Sequence, residues 1–276
     1  MKRKIKKIFI QTDLEGVAGV LSRDEWCLPE GRYYDLAKEF LTMEINAAIS
    51  GFFEGGAEYI LVSDGHGPGG INPNLLDSRV ELKKGADALD KSFDAIAWVG
   101  QHAKSGTKYA HLAHTSSQRR GDLSVNGICI GEFGWGVMEA SELGVRSIFA
   151  SGDEALAKEA KKLVPEIETV SVKRGLNPET GDELPTAAYG KYNDDAIHVH
   201  PEKARKLIKQ GALKAIKCAQ TEEFGLMELK PPFKRVQIFR SDENNPKTIS
   251  IETHPSSFIA LMKMPYNQKP FTEQKT

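Results

Sequence analysis

Only three cysteines occur in the chain, Cys27, Cys129 and Cys218, and no two stand at a CxxC spacing. An odd count without a framework excludes a disulfide-stapled fold and predicts reduced thiols, a cytoplasmic home, and cysteines serving mostly as small core residues. Long apolar runs are missing too, since nothing approaches the roughly twenty residues a membrane span needs. Net charge is nearly absent: 37 Lys and Arg against 38 Asp and Glu leave a formal −1. That balance excludes a general nucleic-acid or anionic-membrane surface. Low-complexity tracts and internal repeats are lacking, which excludes a solenoid. The basic start, Lys2-Arg3-Lys4 with Lys6-Lys7, leads straight into a strand. No long apolar segment or small-residue cleavage site follows, so it reads as a solvated terminus and not as a targeting signal.

What remains is ordinary globular usage, 40% hydrophobic and 27% charged over 276 residues, enough for one large α/β domain or two modest ones. Lys4 to Thr12 reads as a strand. Leu36, Phe40, Met43, Ala47, Ala48 and Phe52 recur at helical spacing up to Glu54, and Gly55-Gly56 follows as a C-cap. Tyr59 to Val62 is a short buried strand. A helix of this length between two strands is a βαβ unit, so the sheet begins parallel. Ala95 to Gly100 and Ser147 to Ser151 read as further buried strands, and Ser124 to Ile130 as a strand broken at Gly127. Helices are expected over Val137–Leu143, Glu154–Leu163 and Pro201–Lys217, with a short β-branched strand from Thr169 to Val172. Val236–Phe239 and Thr248–Glu252 form a late hairpin about Asn244-Asn245-Pro246. The polar end from Tyr266 is expected to fray. The fold class is therefore α/β, with a mostly parallel central sheet, flanking helices and a smaller additional C-terminal part. Residues 1–175 would form the catalytic core. Residues 176–276 would add a helix and strands that complete the fold, beginning with a glycine- and proline-bearing loop over 175–193.

The organising stretch is Ile8-Phe9-Ile10-Gln11-Thr12-Asp13-Leu14-Glu15-Gly16. Residues i and i+2 of an extended backbone point to one side, so Asp13 and Glu15 converge just past a strand end, where open α/β sheets bind ligands. The pattern recurs: His66 follows the second strand, His102 the third and Glu132 the fourth candidate, each near glycine. Imidazole and carboxylate are the ligand set of zinc and its first-row neighbours, and glycine lets backbones crowd a small centre. Three carboxylates and two neutral histidines leave an excess of −1 around one divalent ion. Around two they leave +1, which a hydroxide neutralises. Two metals about 3.5–4 Å apart, with Asp13 between them, are therefore expected. Each residue alone has a plainer reading: an acidic turn for Asp13 and Glu15, turn or loop histidines at His66 and His102, a helix-capping Glu132.

His114, in His-Thr-Ser-Ser, is free for acid–base work or for stabilising an oxyanion. His111 reads as loop, His198 and His200 as surface, and His254 as unpartnered. The turn Gly65-His66-Gly67-Pro68-Gly69-Gly70 lacks the lysine and hydroxyl of a P-loop, and Pro68 spoils its GxGxxG spacing.

Thr12-Asp13-Leu14-Glu15-Gly16, Asp64-Gly65-His66-Gly67, Gly100-Gln101-His102-Ala103, His114-Thr115, and Val125-Asn126-Gly127 leading to Gly131-Glu132-Phe133-Gly134 occur in order. Together they resemble the zinc-dependent D-aminopeptidases of the DppA type, over about Ile8 to Leu213. Any one motif is weak, but five in order are specific. The resemblance implies two zinc ions per chain, with Asp13 bridging, Glu15 and His66 on one, His102 and Glu132 on the other, and His114 catalytic without ligating. It implies release of N-terminal, typically D-configured, residues from short peptides by a ring-like homo-oligomer. Val172-Lys173-Arg174-Gly175 also resembles a family segment, although Lys173 reads more simply as a surface lysine. The stretch 176–191 is longer and more polar than the family leads one to expect, and the tail from His254 matches poorly. Both bear on the pocket rim and on subunit contacts. Rival readings are an L-aminopeptidase or other small-amide hydrolase at the same centre, a non-catalytic nucleotide- or phosphate-binding module using the glycine-rich turn, and a structural oligomer with a vestigial site.

Overall fold

A computed structural model describes residues 4–272. Lys2 and Arg3 of the basic start and the last four residues of the tail lie outside the described residues. In chain order the elements are β1 (Lys7–Thr12), α1 (Arg23–Trp26), α2 (Tyr34–Glu54), β2 (Tyr59–Asp64), β3 (Glu81–Lys84), β4 (Ala95–Gln101), β5 (Arg120–Val125) and β6 (Ile128–Cys129). There follow α3 (Glu132–Leu143), β7 (Arg146–Asp153), α4 (Glu154–Leu163), β8 (Glu168–Gly175), α5 (Thr186–Tyr189), β9 (Ala196–His198) and α6 (Pro201–Thr221). The last are β10 (Phe233–Phe239), β11 (Thr248–His254), α7 (Phe258–Lys263) and β12 (Lys269–Pro270).

The main sheet has the order β3-β2-β1-β4-β7-β8-β9. Every neighbouring pair in it is parallel except β8 and β9. Both of its faces are covered, which is why β1 and β4 read as unbroken apolar runs and not as alternating ones. Ile8 and Ile10 face a core shared with Leu41, Ile45 and Phe52 of α2 and Ile208 and Ile216 of α6. Phe9, between them, faces the opposite core with Trp98, Phe133 and Val137. Strand order reverses between β1 and β4, the switch point at which such sheets open a crevice beyond their carboxyl ends.

A second, antiparallel sheet runs β12-β11-β10-β5-β6. The stretch expected as one broken strand is a hairpin of this sheet. Asn126 and Gly127, at φ 51° and 79°, make the two-residue Asn-Gly turn between β5 and β6. The helix expected from Val137 begins earlier, at Glu132. Its Val137 packs on the main sheet while Met138 joins the core of the second sheet with Leu123, Val125 and Phe258. Residues 176–276 contribute to both sheets: β9 and α6 complete the first, and β10, β11 and β12 build most of the second. The expected late hairpin forms as the antiparallel pair β10 and β11. The tail does not fray at Tyr266. Its ring lies 3.8 Å from the buried Arg235 guanidinium, and Lys269–Pro270 pairs with β11. No helix among the described residues is long and apolar enough to cross a membrane.

Candidate metal centre

The ends of β1 and β4 are drawn together by continued pairing beyond the strands. Asp13 N–H donates to the Val99 carbonyl at 3.0 Å and Gly16 N–H to the Gly100 carbonyl at 2.7 Å. Glycine is required at both crossings. A Cβ on Gly16 would stand 2.1 Å from the Gln101 carbonyl oxygen, and one on Gly100, at φ +74°, 2.1 Å from that of Asp13. Asp13 and Glu15 leave β1, His66 follows β2, and His102 follows β4. Glu132 departs from the expected pattern, because it opens α3 after the hairpin of the second sheet and does not follow a strand of the main one. Ser116 N–H donates to its Oε1 at 2.6 Å.

All five side chains, with His114, meet in one place. Asp13 stands at the middle, its Oδ1 3.2 Å from His66 Nδ1 and its Oδ2 3.2 Å from His102 Nε2. Glu15 Oε2 is 3.1 Å from His66 Nδ1. Glu132 Oε1 lies 3.5 Å from His102 Nε2 and 3.6 Å from His114 Nε2. Two triads have ligand atoms mutually within 4.8 Å: Asp13, Glu15 and His66, and His102, His114 and Glu132. The rings of His102 and His114 stack at 4.1 Å. Gln101, which the sequence reading passed over although it adjoins His102, donates from Nε2 to Asp13 Oδ2 at 3.1 Å. Its position at the end of a wholly buried strand was the available signal.

The tautomers follow from backbone carbonyls, which can only accept. His66 Nε2–H donates to the Cys27 carbonyl at 2.8 Å, His102 Nδ1–H to that of Ala103 at 2.8 Å, and His114 Nδ1–H to that of Leu112 at 3.0 Å. In the neutral rings, then, the nitrogens aimed at the carboxylates carry lone pairs. Lone pair against carboxylate is repulsive unless a proton or a cation lies between. His102 Nε2 is buried without a properly directed hydrogen bond, although an Asp13 oxygen is close. Without a cation the site takes up protons. Burial works against a charged His66, yet the charge of Glu15 and the hydrogen bonds a protonated ring gives to Asp13 and Glu15 push its pKa up to about 12. His102 is raised well above the ordinary imidazole value by Glu132 and Asp13, again against burial. Burial likewise opposes ionisation of Asp13 and Glu132. The adjacent His102 and His66 rings still hold Asp13 well below the carboxylate range, and His102 draws Glu132 down to about 2. The donor set and its charge thus fit one or more divalent cations, with second nitrogens fixed as metal-binding histidines require.

Three further residues differ from their sequence reading. Lys173 is 3% exposed, not a surface lysine, and its Nζ donates to the carbonyls of Glu15 and Val20. His111 is fully buried, and its N–H donates to Asp153 Oδ2 at 2.9 Å. His198 is half-buried, accepts at Nδ1 from Gly19 N–H at 3.1 Å and stands edge-on to His111. Burial lowers the pKa of all three, to about 8 for Lys173, about 2 for His111 and about 4 for His198, and the Lys173 charge depresses both histidines further. His200 is a helix cap, accepting from Glu202 N–H. His254 accepts from Ser256 and Ser257 N–H ahead of α7, so it does have partners. In the glycine-rich turn the Asp64 carboxylate takes the N–H groups of Gly70 and Ile71, which leaves little of a phosphate cradle. Of the cysteines only Cys27 is fully buried; Cys129 is exposed.

The centre opens into a cavity of about 780 Å³. Asp13, Glu15, His66, His114 and Glu132 line it, and Arg23, Arg119 and Lys191 contribute cationic side chains.

A model of the family described as D-aminopeptidase matches residues 6–251. A D-aminopeptidase of Bacillus subtilis (strain 168) is 26% identical over 179 residues, covering 62% of this chain and 65% of that protein. The chain therefore spans just under two thirds of that relative. A solved structure of a Zn-dependent D-aminopeptidase from Bacillus subtilis, DppA, described as a self-compartmentalizing protease, superposes with a TM-score of 0.73 at 22% identity. It covers 84% of this chain and 81% of that one, a likeness of fold.

Proposed function

Because this chain belongs to the D-aminopeptidase family, we propose that it is a dinuclear zinc amide hydrolase, an aminopeptidase that releases N-terminal, D-configured residues from short peptides. Asp13 would hold both ions, with Glu15 and His66 completing one site and His102 and Glu132 the other. The observation that carries this reading is that His66 and His102 turn their proton-free nitrogens toward Asp13, one to each carboxylate oxygen. Zinc held there supplies Lewis acidity toward a carbonyl oxygen and brings the pKa of water near neutrality.

The chain's own groups do the rest. Gln101 restrains Asp13 between the two half-sites. The centre opens into the cavity, so a short peptide bound with its scissile carbonyl there extends along the lining toward the cationic side chains. His114, with Nδ1–H committed to Leu112, offers Nε2 to take a proton from the nucleophile side or return it to the leaving amine. The free thiols support a cytoplasmic setting. The self-compartmentalizing character of the Bacillus subtilis structure supports a ring-like homo-oligomer, for which light scattering is the check.

The decisive experiment is metal analysis of protein purified without added zinc, combined with turnover of D-Ala-D-Ala and L-Ala-L-Ala. Two zinc ions per chain and hydrolysis of the D-peptide support the reading. Turnover of only the L-peptide would retain the centre and replace the stereochemistry, and full turnover after loss of His66 and His102 would end it. His114→Ala separates the two roles open to that residue. Retention of both ions with lost turnover supports acid–base work, and loss of one ion makes His114 a ligand beside His102 and Glu132.

A further inference from the structure

One cation that lines the cavity has no matching charge among the described residues. Of the cations lining it, Arg23 is paired with Asp24 at 3.0 Å and Arg119 with Asp242 at 2.9 Å. Lys191 lines the same cavity, is exposed, and has no acidic partner among the described residues.

Its backbone is nevertheless held. Tyr189, two residues before it, is buried and donates its hydroxyl to the Ala113 carbonyl at 2.9 Å, while Gly106 N–H donates to that hydroxyl at 2.9 Å. Asn193, two residues after it, donates to the same Ala113 carbonyl at 3.1 Å. Arg240, 2% exposed, donates to the Gly181 carbonyl at 2.7 Å and to Ser105 Oγ at 3.0 Å, with its guanidinium over the Tyr189 ring. Residues 181–193 are thus pinned to the loops bearing His102 and His114, and present one free ammonium to the chamber they enclose.

A short peptide is a zwitterion. With its scissile carbonyl at the centre, where the proposed zinc ions offset the charges of Asp13, Glu15 and Glu132, its carboxylate extends into the rest of the cavity, where an unpaired ammonium is the complementary group. We propose that Lys191 binds the free α-carboxylate of the substrate's departing part, so that the chain selects di- and tripeptides with a free carboxyl terminus over C-terminally blocked ones. The inference rests on the hydrolase reading above and adds to it the substrate class.

The test compares kcat/KM for D-Ala-D-Ala and for its C-terminal amide, using the zinc-loaded wild type, Lys191→Met and Lys191→Arg. The wild type is expected to prefer the free acid. Lys191→Met is expected to lower the acid-over-amide ratio about tenfold, through KM and not kcat, as befits one charge-assisted contact. Lys191→Arg is expected to restore most of the ratio, and added salt to erode it in the wild type. Hydrolysis of both substrates with a ratio that Lys191→Met leaves unchanged overturns the proposal alone. Hydrolysis of neither by the wild type overturns the hydrolase reading, and the carboxylate site with it. An equal fall on both substrates makes Lys191 structural and overturns carboxylate recognition.

Discussion

His66 gives its Nε2 proton to the carbonyl of Cys27 at 2.8 Å, and the ring is thereby committed to working through Nδ1. His102 is committed the other way, with Nδ1–H on Ala103 and Nε2 facing Asp13. The two proposed half-sites therefore use opposite edges of their imidazoles. An amide of asparagine reaches about as far as Nδ1, and that of glutamine about as far as Nε2. His66→Asn is expected to keep more zinc than His66→Gln, and His102→Gln more than His102→Asn. All four should lose at least tenfold in affinity, since even outer partners of ligands are worth 10–100-fold. Chelator-competition titration of each variant reads the order directly. The same order at both positions would mean that the tautomers are not the ones the carbonyls impose.

The approach of β1 to β4 rests on absent side chains. Gly16→Ala would place a methyl group 2.1 Å from the Gln101 carbonyl oxygen, a backbone atom of a strand buried on both faces and unable to yield. The expected outcome is destabilisation by about 3 kcal/mol or more, with zinc binding weakened because Asp13 and Gln101 separate. Gly67→Ala is the control, since nothing lies within 4 Å of the added methyl group there. Urea titration of both variants would show it, and equal stability would contradict the packing of the two strand ends.

Much of this candidate centre is legible in the sequence because the candidate ligands and glycines share short segments. Asp13, Glu15, His66 and His102 each sit within a few residues of a strand end, and the strands of the main sheet announce themselves as apolar runs. Glu132 does follow a strand end, but of the second sheet and not of the main one. Gly127, which breaks the expected strand, turns the β5–β6 hairpin, for which Asn126-Gly127 is the local signal, whereas β10, which pairs with β5 on its other side, lies more than a hundred residues further on. Pairing at that separation leaves no local mark. Lys173 was hidden differently. It sits between buried Val172 and exposed Arg174, and its partners are backbone carbonyls of residues 15 and 20, which no pattern of side chains reports. The short polar strand β3, Glu-Leu-Lys-Lys, was likewise invisible to hydrophobic periodicity.

Lys173 lies beneath the proposed half-site of Glu15 and His66. Its ammonium closes the loop between Glu15 and Val20, and its charge adds to burial in keeping His198 neutral. Lys173→Met removes both effects. The expected result is a loss of about 1–3 kcal/mol, from two carbonyls left without their donor, and a rise of the His198 pKa from about 4 toward the ordinary imidazole value. Titration of the His198 ring by NMR separates this from a general loosening. An unchanged His198 titration in a destabilised variant would assign Lys173 to packing alone.

Glu44 sets the sign of a pH dependence. It is 1% exposed on α2, its Oε1 accepts from Ala18 N–H at 3.0 Å, and its Oε2 has no partner among the described residues. Burial lifts its pKa from 4.5 to about 7, moderated by the Ala18 N–H and by the charges of Lys173 and Arg205. The folded state thus holds this proton more tightly than the unfolded chain does. The stabilisation is fully present below pH 4.5, is lost as pH rises through about 7, and is constant above that. A shift of that size corresponds to roughly 3 kcal/mol. Glu44→Gln keeps an acceptor for Ala18 N–H and cannot ionise. Between pH 5 and pH 8 the wild type is therefore expected to lose roughly 3 kcal/mol more than the variant. Urea unfolding of both proteins with zinc removed by a chelator isolates the carboxyl from metal linkage. Parallel pH profiles would mean that Glu44 ionises in the folded protein as easily as in water, and that water reaches the space behind the Asp13–Val20 loop.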